Sequence, residues 1–271
     1  MTLLGLDIAV YQTGLRLEDA AAQGYRFVNL KVSHGTGLRS VMPELARWAD
    51  RARSLSLGIC TFHWLNDADT GLAQAAWALQ QMRAIGGPDH MGHQVDCEST
   101  ATEAIWRDYT RAMLDALGRP VITYSGDWWW QPRGWYGAGL TPFLWAAPSA
   151  GYLSAAYPGD TSSHWAVAYG GWRELAIMQW SVGPLASGTV NVSKSAIRHP
   201  YVWGAITGGD HLVANPDPGH APPEAWSIDM GPADIEEVRR RLTAERETRA
   251  ATILQPLDEE VAGADVRTAD Q

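Results

Sequence analysis

Apolar positions along the chain fall into two alternating rhythms. Strand-like runs of five to eight residues fall at Leu3–Ala9, Arg26–Val32, Leu57–Trp64, Gly92–Glu98 and Pro120–Tyr124, most of them compactly apolar. Between them lie stretches with apolar residues at helical spacing: Leu17–Gln23, ended by Gly24; Pro43–Ser54; Thr70–Ile85, closed by Gly86-Gly87-Pro88; and Thr100–Leu117, stopped by Gly118. This strand–helix alternation predicts βα units on a parallel sheet. Further strands are expected at Pro142–Ala147, Trp165–Tyr169 and Leu175–Trp180, joined by loops rich in Gly, Pro, Ser and Trp rather than by helices. The fold class expected is therefore α/β: an irregular TIM-like barrel of about eight strands, with fewer helices in its second half. No internal repeat is visible.

The rhythm changes near Gly208. Residues 208–231 carry Asn215-Pro216-Asp217-Pro218-Gly219 and Ala221-Pro222-Pro223, the composition of a linker. Pro232–Ala251 then reads as a charged helix with a thin apolar stripe, and its acidic residues cluster in the first turns, where the helix dipole favours them. The acidic tail 256–271 lacks aromatics, a composition that does not support a core. The expected organisation is a barrel over 1–207, a linker over 208–231, and a helix with a disordered tail over 232–271.

Within this frame one pair of residues carries candidate chemistry. Asp96 and Glu98 stand two apart at the end of the fourth strand, so their side chains point to one face, roughly 6.6 Å apart along the strand. Active-site groups of a parallel barrel lie at the C-terminal ends of its strands, which is where this pair falls. Two carboxylates facing one cleft suit hydrolysis of a glycosidic bond. One protonates the leaving oxygen, and the other attacks or stabilises the developing cation. Every other strand end also carries polar or aromatic groups: Asp7, Lys31 and Ser33, His63 and Trp64, Tyr124, Trp145, and Gln179.

Composition narrows the partners. A net charge of −9 argues against nucleic acid or an anionic membrane surface. No apolar run is long enough for a membrane span, and no export leader is recognisable. Cys60 and Cys97 make neither a disulfide framework nor a zinc site, so two buried thiols are expected, with no metal and no cofactor. The 14 tryptophans serve core packing or stacking on ligand rings. The run Trp128-Trp129-Trp130 cannot be buried entirely by neighbours that point different ways.

The order of the strand-end motifs resembles glycoside hydrolase family 25, the Chalaropsis-type lysozymes. Gly5-Leu6-Asp7-Ile8-Ala9-Val10-Tyr11-Gln12 matches that family's opening stretch. Phe27–Gly35 matches its second strand, with Lys31 and Ser33 in place, and Gly58–Trp64 matches its third. Asp96-Cys97-Glu98, Tyr124-Ser125-Gly126, Leu144-Trp145-Ala146-Ala147 and Met178-Gln179-Trp180-Ser181 follow in order. The similarity spans roughly residues 3–206. It implies a muramidase that cleaves the β-1,4 bond between N-acetylmuramic acid and N-acetylglucosamine in peptidoglycan.

By that resemblance Glu98 is the general acid, Asp96 an ionised partner that orients or stabilises the substrate's 2-acetamido group, and Asp7 a third acid on the cleft floor. Asp7 alternatively caps the turn after its strand. Lys31 is either a counter-ion for the acids or a substrate contact. Phe62, Tyr124, Trp145, Gln179 and Asn191 are candidate sugar contacts, with simple packing as the rival role. His63 is expected to be a hydrogen-bonded barrel residue. Phe62 replaces the family's tyrosine, Ala9 its serine, and Asn191 an acid near the last strand. The resemblance also implies a bacterial wall target. With no export leader recognisable, the expectation is a phage-encoded lysin that reaches the wall through holin lesions or as part of a virion. The alternative is a glycan-binding module of a phage tail that keeps the cleft and has lost turnover.

Overall fold

The computed structural model describes residues 2–35, 44–148, 154 and 156–209. The expected linker, charged helix and acidic tail lie outside the described residues, as does most of the loop that begins at Gly35.

Eight strands close into a barrel in chain order: β1 (Leu3–Ile8), β2 (Tyr25–His34), β3 (Gly58–Trp64), β4 (Gly92–Asp96), β5 (Ile122–Tyr124), β6 (Phe143–Ala146), β7 (Ile177–Pro184) and β8 (Asn191–Ile197). The first seven are parallel, and β8 runs antiparallel to both β7 and β1. Helices α1 (Leu17–Ala22), α2 (Leu45–Ser54), α3 (Gly71–Ala84) and α4 (Glu103–Leu117) follow the first four strands. The expected βα units are therefore present, and helices thin out in the second half, where α5 (Asp127–Trp130) has four residues.

Local signals explain the helix limits. The Thr70 and Thr102 hydroxyls accept from the amides of Ala73 and Ile105, capping α3 and α4. Gly118 ends α4 in the left-handed region at φ 64°. The strand expected at Trp165–Tyr169 is corrected: Ser163–Trp165 is a 3-10 turn capped by Ser162, and the ladder contact there is the isolated bridge Ala166–Glu174. Gly170 and Gly171 at φ 61° and 84° fold the chain back before a strand can extend. The run Leu175–Trp180, expected to be the eighth strand, belongs to β7, and the true eighth is Asn191–Ile197.

Side-chain alternation divides the barrel into two cores. Outward residues such as Leu6, Val28, Leu30, Ile59, Val95 and Leu144 pack under the helices. Inward residues of the lower barrel, including Leu3, Phe27, Cys60, Ile122, Phe143 and Ile177, pack together with Val202, Trp203 and Ile206 of α6 (Pro200–Thr207). Because β8 is antiparallel, it delivers the chain to the bottom of the barrel, where α6 closes that end. The cavity consequently opens upward, at the C-terminal ends of the parallel strands.

A buried polar seam joins the barrel wall to α3 and α4. The Ser33 hydroxyl meets His63 Nδ1 at 2.7 Å, and His63 Nε2 meets Gln74 Oε1 at 3.0 Å. His93 bridges Thr61 and the Tyr109 hydroxyl at 2.8 Å each. Burial pushes His63 down to about 3, so it is neutral at working pH. It faces the helices rather than the cleft, as expected for a barrel residue.

Gly5 shows how tightly the lower barrel is filled. A Cβ at this position would lie 2.1 Å from the Phe27 ring, which packs on Trp145 and Trp203 and cannot retreat. Gly5→Ala is expected to destabilise the chain by about 1–3 kcal/mol through overpacking. Thermal unfolding checks this, and an unchanged midpoint would contradict it.

Candidate active site

Inward residues change from apolar to polar on moving up the barrel, and the polar tier is one connected network. Asp7, at the top of β1, accepts hydrogen bonds from three donors: Asn29 Nδ2 at 3.1 Å, Gln179 Nε2 at 3.2 Å and Ser195 Oγ at 3.2 Å. Asn29 also donates to Gln94 Oε1 at 2.5 Å, and the Tyr124 hydroxyl donates to Gln179 Oε1 at 2.6 Å. Trp145 Nε1 meets Ser195 Oγ at 3.2 Å. The chain of bonds thus ties β4, β2, β1, β7 and β5 across the cavity floor. Burial raises Asp7 to about 6, against the pull of its three donors. That many donors fit a carboxylate, so Asp7 is the acid built to carry charge. The turn-cap alternative fails, since the amide of Ala9 is bonded by Gln12 Oε1 instead.

Above this floor stand Asp96 and Glu98. The strand ends at Asp96, but Cys97 N still donates to Tyr124 O at 2.9 Å, which prolongs the ladder and keeps Glu98 on the face of Asp96. Asp96 is 6% exposed, and its Oδ1 has no hydrogen-bond partner among the described residues. Burial pushes Asp96 well above the usual carboxylate range, Glu98 raises it further, and Lys31 opposes the shift. Burial lifts Glu98 to about 7. The expectation that Asp96 stays ionised while Glu98 alone is raised therefore needs revision. Asp96 is buried and Glu98 half-buried, and two such carboxyls on one face resist ionising together.

The remaining candidates divide by position. The Lys31 ammonium lies 5.0 Å from the Trp64 ring centre and 5.9 Å from that of Phe62. It forms no ion pair among the described residues and faces Asp96 electrostatically. Tyr124 and Gln179 join the floor network beside Asp7. Trp145 is fully buried against Phe27, so it supports the floor and does not line the cleft. Asn191 is exposed at the outer rung of β8, opposite Pro184, and its backbone carbonyl accepts from Gln12 at 3.1 Å. The residues of β8 that approach Asp7 are Ser193, its register partner, and Ser195. No carboxylate of β8 joins the cluster.

Sequence reasoning missed Asn29, Gln94 and Ser195. For two of them the signal was the strand period: Asn29 is two before Lys31, and Gln94 two before Asp96. Of the tryptophan run, Trp128 is 51% exposed while Trp129 and Trp130 are buried, as adjacent directions require. Both cysteines are free and buried. No group of metal-ligating side chains occurs among the described residues.

The model of glycosyl hydrolases family 25 matches residues 6–188, more than half of the chain. The chain belongs to glycosyl hydrolase family 25. This family 25 glycoside hydrolase is similar in structure to a family 25 lysozyme from Aspergillus fumigatus, with a TM-score of 0.60, 20% identity, and coverage of 77% of this chain and 100% of the other. It is similar to the lysozyme of Streptomyces coelicolor, with a TM-score of 0.60, 14% identity, and coverage of 77% and 98%. The CTP1L endolysin matches with a TM-score of 0.58, 15% identity, and coverage of 77% and 70%. At these identities the likeness is one of fold. No curated protein matches by sequence.

Proposed function

We propose that this family 25 hydrolase is a peptidoglycan muramidase, with Glu98 as general acid and Asp96 as the group that assists it. The observation that carries the reading is the acid pair, buried Asp96 and half-buried Glu98, at the open end of the barrel. Glu98, raised to about 7, keeps a protonated fraction at neutral pH that can deliver its proton to the glycosidic oxygen. With that proton on Glu98, Asp96 beside Lys31 carries the pair's negative charge, and Glu98 becomes a carboxylate when the proton passes to the leaving oxygen. From there Asp96 orients the substrate's 2-acetamido group and stabilises the positive charge that develops as that group attacks the anomeric carbon. The course taken in this reading is assistance by the substrate's own amide. Asp7, anchored by three donors, supplies a fixed negative charge below the reacting carbon. Lys31, Tyr124 and Gln179 border the same space.

A second reading is a glycan-binding module with little turnover. The observation favouring it is β8, where Ser193 and Ser195 stand near Asp7 with no carboxylate. Clearing of a peptidoglycan suspension, run beside co-sedimentation with the same material, separates the two. The enzyme reading expects clearing by the native chain. Binding without clearing, at any pH between about 4 and 8, would replace it with the second reading.

A further inference from the structure

Glu98 is held differently from its neighbours. Asp7 is fixed through its carboxyl by three donors, whereas the Glu98 carboxyl accepts no hydrogen bond among the described residues. Its aim must therefore come from its backbone. That backbone lies beyond the end of β4 and past the last rung, from Cys97 N to Tyr124 O. Three further bonds hold the segment around it. Leu65 N donates to Asp96 O at 3.0 Å, Ser125 Oγ to Cys97 O at 2.7 Å, and Trp129 Nε1 to Ser99 O at 2.9 Å. The carbonyls on both sides of Glu98 are thus gripped by side chains of the turn that follows β5.

The grip on the far side is itself rigid. Trp129 is 3% exposed. The Arg133 guanidinium lies 3.9 Å from the centre of its ring and donates to Trp129 O at 2.6 Å, and Trp135 packs edge-on at 5.1 Å. The Tyr169 hydroxyl donates to Ser125 O at 3.0 Å, which fixes the near side. Side chains locked by packing and by further hydrogen bonds are what hold a reacting group to a fraction of an ångström.

We propose that Trp129 and Ser125 are positioning residues for Glu98, gripping the carbonyls of its neighbours Ser99 and Cys97 so that a carboxyl with no hydrogen bond among the described residues points at the scissile oxygen. The proposal rests on the reading of Glu98 as the acid. It makes Trp129 part of the machinery of turnover through its indole N–H, and not only a core aromatic.

The test compares Trp129→Phe, which keeps a buried ring and loses the N–H, and Ser125→Ala, with the native chain and Glu98→Gln. Steady-state hydrolysis of soluble peptidoglycan fragments is measured across pH, with thermal midpoints alongside. Each variant is expected to lower kcat about tenfold with KM within about twofold, because misaim affects the transition state more than binding. A loosened Glu98 regains water, so the alkaline limb of kcat moves to lower pH. A purely structural role would scale kcat at every pH and leave the limb in place. Unchanged kcat in both folded variants, or a fall with an unmoved limb, would overturn the proposal. Full turnover by Glu98→Gln would instead overturn the acid assignment beneath it.

Discussion

Glu98→Gln is expected to lower kcat on peptidoglycan by about 10²–10⁴-fold, the usual worth of a positioned general acid, while leaving glycan binding in place. The amide keeps the size of the side chain and removes the only proton donor proposed for the leaving oxygen. The same substitution is expected to stabilise the fold, and the pH dependence gives the sign. Glu98 is raised to about 7 when folded, from 4.5 when free. Below about pH 4.5 it is protonated in both states and has no effect. As pH rises through the window from 4.5 to about 7, the unfolded chain gains the charge freely and the folded chain resists it, so native stability falls. Above about 7 the full penalty is present. Thermal midpoints of the two chains should coincide near about pH 4, and the variant should lead by a few degrees near about pH 8. A variant less stable than the native chain at that higher pH would show that Glu98 is not held in the half-buried, uncompensated state described.

Asp96→Asn is expected to cost about 10²–10³-fold in kcat, the scale of losing one aligned electrostatic group at a developing charge. Its pH profile should also change shape. The working form of the native pair carries one proton, so both limbs of its bell belong to the pair and not to either residue. In the variant only Glu98 of the pair titrates, so the acidic limb associated with the pair disappears. The alkaline limb shifts to lower pH, because a charged neighbour no longer opposes ionisation. A bell with both limbs unmoved would place the titrating groups elsewhere, with Asp7 the next candidate.

The parts of the fold legible in the sequence were those where burial follows the strand or helix period. β1 to β3 are largely apolar strands, α1 to α4 carry apolar residues at helical spacing, with Thr70 and Thr102 capping α3 and α4, and each of these elements appears close to its expected limits. β8 was illegible for a physical reason. Its residues Ser193 and Ser195 lie toward a polar cleft and Asn191 sits at the rim, so it lacks the apolar alternation that marks a strand. The stretch Trp165–Tyr169 misled in the opposite way, since its aromatics fill a core without extending.

The site divides similarly. Asp7, Asp96 and Glu98 were visible because strand ends in a parallel barrel converge. The groups that hold them were not: Ser195 reaches Asp7 from 188 residues away. The Trp129 bond to Ser99 depends on which of two inward-turned tryptophans aims its indole N–H at that loop, since Trp130 bonds Trp135 O instead. Asn191 was read as the replaced acid of the last strand, yet this residue is exposed at the rim and the rungs nearest Asp7 are serines.

The central claim is that the acid pair at the open end of the barrel cleaves the glycan, and product analysis tests it most directly. Purified peptidoglycan is digested with the native chain and with Glu98→Gln, and the new reducing ends are identified by mass spectrometry after borohydride reduction. The account predicts reduced N-acetylmuramic acid ends from the native chain and none above background from the variant. Reduced N-acetylglucosamine ends, or equal yields from both chains, would contradict it.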